Sequence, residues 1–185
     1  MKKAVVLLGS PRQKGNSAAL ARRAMEGIAA AGGEYEAFVL NGMNIHPCQA
    51  CDACQRHPEN RCILRDDMAG LYDALEAADA LLLASPIYMF NVSAQLKLFL
   101  DRTYAVPEAI RSKPVGILLT YADEDEIISG AIYAMNSLRD LCAYRGAMLM
   151  GIVHASASDA GEVTNNVRAM DEAFALGSAL ITREK

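Results

Sequence analysis

Five short, almost unbroken apolar runs lie at residues 4–8, 35–40, 80–84, 115–120 and 148–154. They alternate with segments of helical periodicity at 17–31, 66–78, 93–104, 126–144 and 163–182. A strand with one wet face alternates apolar and polar residues, whereas a continuously apolar run suits a parallel strand covered by helices on both sides. Parallel strands also need long crossovers, which the helical segments supply. The alternation therefore predicts an α/β sandwich: a doubly wound sheet of five strands, helices on both faces, with no repeat or linker dividing it. In such sheets ligands bind beyond the carboxyl ends of the strands, where the strand order reverses. The residues of interest are then in the loops after Leu8, Ala84 and Thr120, and in the segment after the second strand.

Composition narrows the function. The 185 residues are read as one domain, 1–185, with a cysteine-rich insertion at about 42–65. The net charge of −4 argues against nucleic acid, whose phosphates reward a basic surface. No apolar run approaches the ~18 residues of a membrane span, and residues 80–84 are strand-sized. Lys2 and Lys3 precede an apolar stretch as in a signal peptide, but that stretch reaches a glycine turn after Leu8. We read it as a buried strand and expect a cytoplasmic protein whose thiols stay reduced, so that clustered cysteines are metal-binding or catalytic.

The first loop, "GSPRQKGNS" (residues 9–17), joins a strand to a helix. Amides at a helix N-terminus, with glycine and hydroxyl residues beside them, form a site for a phosphate dianion. A Walker loop does not fit, because five residues separate Gly9 from Gly15 and Asn16 stands in the lysine position. A dinucleotide fingerprint does not fit either, since G-x-G-x-x-G is absent and the second strand ends at Asn41 rather than an acid. What remains suits a single terminal phosphate held by Ser10, Asn16, Ser17, backbone amides and Arg12. An ordinary strand-to-helix turn capped by Ser17 is the plainer alternative.

The loop after the third strand opens "SPIYMFNVSAQLKLFLDR" (residues 85–102). Pro86, Tyr88, Met89, Phe90 and Asn91 form an apolar, aromatic strip with backbone amides, which suits a planar heteroaromatic ring. Ser93 is placed to cap the next helix, and Leu96, Phe99 and Leu100 form its sheet-facing side. Lys97, Asp101 and Arg102 are expected to make solvated or structural ion pairs with no part in a site. "TYADEDE" (residues 120–126) lies beside the same pocket, its acids read as a solvated helix start. His154, ending the fifth strand at the pocket rim, is open to either a structural or a functional role.

These two loops, with the closing "GIVHASASDAGEV" (residues 151–163), resemble those of the NAD(P)H-dependent FMN reductase family over nearly the whole chain. The resemblance implies a flavodoxin-like sheet of order 2-1-3-4-5. It implies that Ser10, Arg12, Asn16 and Ser17 hold the phosphate of FMN, and that Pro86, Ile87, Tyr88, Met89, Phe90 and Asn91 hold the isoalloxazine, with Thr120 and Tyr121 near its other side. No residue need act as acid or base, because the chemistry belongs to flavin N5. NAD(P)H is the implied donor and a quinone or free flavin the acceptor, with a homodimer or higher homo-oligomer as the assembly. A pure electron-transfer flavoprotein is the alternative.

"CQACDACQRHPENRC" (residues 48–62) places Cys48, Cys51, Cys54 and Cys62 in a C-x2-C-x2-C-x7-C pattern. Structural zinc sites usually pair two knuckles across a longer loop, whereas three thiols at consecutive x2 spacing fit the corners of a 4Fe–4S cubane. Bare thiols, zinc and a redox disulfide remain alternatives from spacing alone. The pattern also resembles that of iron–sulfur flavoproteins in the same family, which implies a 4Fe–4S cluster near FMN and a ferredoxin as a possible donor. His46 and His57 are read as exposed bystanders and Cys142 as a small core residue.

Overall fold

The computed structural model describes residues 1–57 and 61–182; residues 58–60 of the cysteine segment and 183–185 lie outside the described residues. The first half runs β1 (Lys3–Leu8), α1 (Asn16–Ala30), β2 (Glu34–Val39), α2 (Ala53–Arg56), α3 (Met68–Ala77) and β3 (Ala80–Tyr88). The second half runs β4 (Asn91–Val92), α4 (Ala94–Arg102), β5 (Pro114–Tyr121), α5 (Ala131–Arg145), β6 (Met148–Ser156) and α6 (Val167–Thr182). The parallel strands are ordered β2-β1-β3-β5-β6, while β4 pairs antiparallel with the end of β3. Counting only parallel strands, this is the expected 2-1-3-4-5. The order reverses between β1 and β3, where Leu8 lies beside Ala84.

Side chains alternate across the sheet, as the two-residue period requires. Val5, Leu7, Leu81, Leu83, Val115, Ile117 and Leu119 face one core with residues of α3, α4 and α5. Ala4, Val6, Ala80, Leu82, Ala84 and Leu118 face the other, with α1 and α6. Leu96 and Phe99 are fully buried, and Leu100 packs partly against the same core, as the helical spacing predicted. Each such side chain contributes about 1.5–3 kcal/mol on burial. Among the described residues no helix is long and apolar enough to cross a membrane.

Several boundaries differ from expectation, each for a local reason. β3 continues to Tyr88 because Ile87 and Tyr88 pair with Val92 and Asn91 across a two-residue turn. That turn, Met89 and Phe90, has φ of 46° and 67°, the left-handed geometry that two-residue hairpins favour and bulky side chains resist. α5 starts at Ala131 because the Asp125 carboxylate accepts from the Ile127 and Ile128 amides, both at 2.8 Å, and holds a separate turn. α6 starts at Val167, after a 3-10 turn at Glu162–Asn165. α3 starts at Met68, just after Asp66, whose carboxylate pairs with buried Arg102 and also accepts from the Met68 amide at 3.2 Å.

Candidate functional site

The loops after β1 and β3 are latched to each other at the switch point. The Gly9 amide donates to Ala84 O at 2.8 Å, and Ser93 Oγ donates to Gly9 O at 2.8 Å. A Cβ at Gly9 would lie 2.8 Å from Ser93 Oγ and 3.0 Å from Leu96 Cβ, so only glycine allows this approach. Ser93 is the N-cap of α4, as expected, with Oγ accepting from the Leu96 amide at 3.3 Å. Its own amide donates to Ser85 Oγ at 2.9 Å. One buried serine therefore ties together two loops and a helix start.

Beyond this latch the first loop turns back on itself. Ser10 Oγ accepts from the Arg12 amide at 3.1 Å, and the Gly15 amide donates to Arg12 O at 3.0 Å. Gly15 is the N-cap of α1 and offers no side chain, so Ser17 is not the cap and the first-turn amides are left to an anion. Buried Ser10 and Ser17 and exposed Arg12 surround that helix end. Asn16 reaches the same place but its amide is already engaged. Nδ2 donates to Ala157 O and Asp159 O at 3.0 and 2.9 Å, and Oδ1 accepts from the Val163 amide at 3.2 Å. It fastens α1 to the loop after β6.

An open cleft runs from this helix end to the ends of β3 and β5. Of the residues expected there, Ser10, Arg12, Asn16, Ser17, Pro86, Ile87, Tyr88, Thr120 and Tyr121 line it. Met89, Phe90 and Asn91 do not. The hairpin carries them past the rim, leaving Met89 89% exposed, while Phe90 rests on Gly130, where a Cβ would lie 2.3 Å from its ring. Asn91 Oδ1 accepts from the Val92 amide at 2.8 Å. Sequence reasoning missed Gly15, Ala122, Ala157, Ser158 and Ala160 as lining residues. The signal for the last three was the run of small residues "ASASDAG" after β6.

Tyr121 is buried, with its hydroxyl hydrogen-bonded to His154 Nδ1 at 3.0 Å and the two rings stacked. Burial pushes the Tyr121 phenol up, and Glu126 and Asp125 add to the effect, so it stays neutral near pH 7. The cleft fits FMN: uncapped amides and hydroxyls at one end suit a phosphate, and proline and tyrosine surfaces at the other suit a planar ring.

The cysteine segment is built differently. Cys48 and Cys51 are exposed, while Cys54 and Cys62 are half-buried against the core; Cys142 is buried, as expected, and burial raises its thiol. The donor set, four thiols and no disulfide, fits an iron–sulfur cluster in chemistry. It does not fit in geometry: among the described residues no three Cys, His, Asp or Glu side chains converge to hold a metal. The physical reason is that two of the sulfurs pack on the core while the other two face solvent.

Beneath it lies a pair that sequence reasoning left without a role in any site. Arg102 Nη1 and Nη2 donate to the two Asp66 oxygens at 2.5 and 3.1 Å, and Nη1 also donates to His46 O at 2.8 Å. The Asp66 and Arg102 side chains are 0% and 1% exposed. Burial would raise the Asp66 carboxyl, but hydrogen bonds from Arg102 and the His46 amide hold it below the usual carboxylate range. Tyr72, which donates to Arg102 O at 3.0 Å, is pushed up to about 12 by burial. Arg102 was expected in a structural ion pair, and is in one; Asp66 was not.

A family model described as NADPH-dependent FMN reductase matches residues 2–162. An iron–sulfur flavoprotein of Methanosarcina thermophila is 30% identical over 146 residues, covering 77% of this chain and 74% of that protein. Another, from Archaeoglobus fulgidus, is 38% identical over 122 residues, covering 65% of this chain and 54% of its own length. The chain spans about half the length of several relatives that it matches. An NAD(P)H:quinone oxidoreductase structure from Methanothermobacter marburgensis superposes with a TM-score of 0.77 at 19% identity, covering 99% and 98% of the two chains, and shows the shared flavodoxin-like fold. With most of the chain matched and the cleft where that fold places it, this protein belongs to the NADPH-dependent FMN reductase family.

Proposed function

We propose that the protein is an FMN-dependent oxidoreductase that takes electrons from NAD(P)H, or from a ferredoxin, and passes them to a small acceptor such as a quinone or a flavin. The observation that carries this reading is the two-ended cleft: an uncapped helix terminus with buried serines at one end, aromatic and proline surface at the other. When bound, FMN supplies hydride and electron exchange at N5. The residues of this chain bind and orient. Ser10, Ser17, Arg12 and the first-turn amides of α1 hold the phosphate, Asn16 keeps that turn in place from behind, and Pro86, Ile87 and Tyr88 present the ring-binding edge. Thr120 and neutral Tyr121 close the other side.

The exposed Met89, Phe90, Ile127, Ile128 and Tyr133 around the rim support a second copy of the chain as cover, hence a homodimer. The cysteines are proposed ligands of a 4Fe–4S cluster, supported by their spacing and by the names of the relatives. Five free thiols agree with a reducing, cytoplasmic setting. The test is titration of the apoprotein with FMN, followed by anaerobic oxidation of NADH and NADPH with a quinone acceptor. Absence of FMN binding would end the proposal. FMN and cluster without nicotinamide turnover would instead favour a relay between protein partners, the reading that the iron–sulfur flavoprotein relatives support.

A further inference from the structure

A helix cap and a bound phosphate compete for the same donors. A capping side chain accepts from the second or third amide of the helix, and those amides also face an anion beyond the helix end. α1 avoids the competition, because Gly15 in the cap position has no side chain to accept with. An uncapped first turn frays, however, and frayed amides are free but poorly aimed. Something other than a cap must hold them.

Asn16, the first residue of α1, does so from the opposite direction. Its side chain leaves the helix end and grips residues 157, 159 and 163 through two carbonyls and one amide. None of these three bonds uses an amide of α1. The gripped loop is itself braced on two sides. The Ala157 amide donates to Tyr121 O at 2.7 Å, and Ser158 Oγ donates to Ala122 O at 3.1 Å, both at the end of β5. On the far side Glu162 Oε2 accepts from the Ser158 and Asp159 amides at 2.6 and 2.9 Å. Glu162 thereby closes the loop on itself beside Gly161, whose φ of 84° makes the turn. Val163, whose amide Asn16 holds, is buried in the core shared with α1 and α6.

We propose that Asn16 and Glu162 are positioning residues for the phosphate end of the cleft. Asn16 takes the place of a cap and leaves the first-turn amides of α1 to the ligand; Glu162 acts through Asn16, by holding the loop that Asn16 grips. The consequence is selectivity. The ring-binding surface of Pro86, Ile87 and Tyr88 belongs to the other end of the cleft. The pair therefore favours FMN over riboflavin, which has the same ring and no phosphate. The inference rests on the FMN reading of the cleft.

The test is titration of the flavin-free protein with FMN and with riboflavin, followed by quenching of flavin fluorescence, with a urea midpoint for each variant. The wild type should prefer FMN. Asn16→Ala should weaken FMN about tenfold and riboflavin less than about twofold, as expected when hydrogen bonds that order one end of a site are lost. Glu162→Ala should move the ratio in the same direction by a smaller factor. Glu162→Gln keeps an accepting oxygen and should restore the wild-type ratio. Because the two residues act in series, Asn16→Ala with Glu162→Ala should bind FMN no more weakly than Asn16→Ala alone. Equal losses for the two flavins overturn the proposal, since a merely structural role weakens both, and so do additive losses in the double variant. A wild type that binds both flavins equally overturns it while leaving the flavin reading intact. A wild type that binds neither sinks the flavin reading and the proposal together.

Discussion

The loops that frame the cleft and the loop that carries the cysteines leave the same edge of one sheet, yet they are held in opposite ways. At the switch point every turn is fixed by several partners: Gly9 is bonded to both Ala84 and Ser93, Ser93 to Ser85, and Asn16 to three groups of the β6–α6 loop. The cysteine loop is fastened at separate points, by Arg102 on Asp66, by Gln55 on Tyr104 O and by Arg61 on Asp73 and Glu76, while Cys48 and Cys51 lie at the surface. A site that must receive a preformed phosphate and ring benefits from rigidity before binding. The difference teaches that the loops of one sheet can include both a tightly latched cleft and a segment whose thiols are divided between core and solvent.

The comparison is most easily broken at the pair of Asp66 and Arg102. Arg102→Ala leaves the Asp66 carboxylate buried and unpaired, and we expect a loss of roughly 3–5 kcal/mol in thermal or denaturant unfolding, with FMN affinity kept once the protein is folded. Acid reaches the same pair. Because Asp66 titrates below its unfolded value of 3.8, its contribution is present in full above that pH and is lost as the pH falls through its lower native value. A urea midpoint series should show a steeper acid decline for the wild type than for Asp66→Asn. On the cleft side, Arg12→Ala should spare the melting temperature but weaken FMN binding by about 1.5–3 kcal/mol, the worth of a hydrogen bond to a charged group, by fluorescence titration. Ser93→Ala removes the α4 cap and the partner of Gly9 O, costing about 1–2 kcal/mol in unfolding and loosening FMN as well. Last, Cys51→Ala should change stability by no more than about 0.5 kcal/mol and leave FMN bound while abolishing cluster absorbance after reconstitution. A large stability loss in that variant would show that the loop tip is already structural.

Much of the cleft was legible in the chain because it is made of contiguous residues. A glycine and hydroxyl loop between an apolar run and a helix, and a proline–tyrosine strip at the end of another, state their chemistry locally. Ser10, Arg12, Ser17, Pro86, Ile87, Tyr88, Thr120 and Tyr121 were all found at the cleft in this way. Asn16 also lines the cleft, and its bonds reach across to residues 157–163, which nothing in its local sequence shows. Met89, Phe90 and Asn91 were read as lining the pocket because nothing in their order shows that β3 runs on into a hairpin and carries them beyond it.

Apolar periodicity by itself determined the layers and which faces of the strands are buried, and the chemistry of the loops determined what class of group the switch point would hold. These follow from residue type and spacing, which every local segment carries with it. Only the tertiary structure decided that Asp66 and Arg102, thirty-six positions apart, share one dry pocket, and that the four sulfurs divide into two on the core and two in water. Both depend on where distant elements pack, and the burial energy of a charge is set by everything around it rather than by its neighbours in the chain.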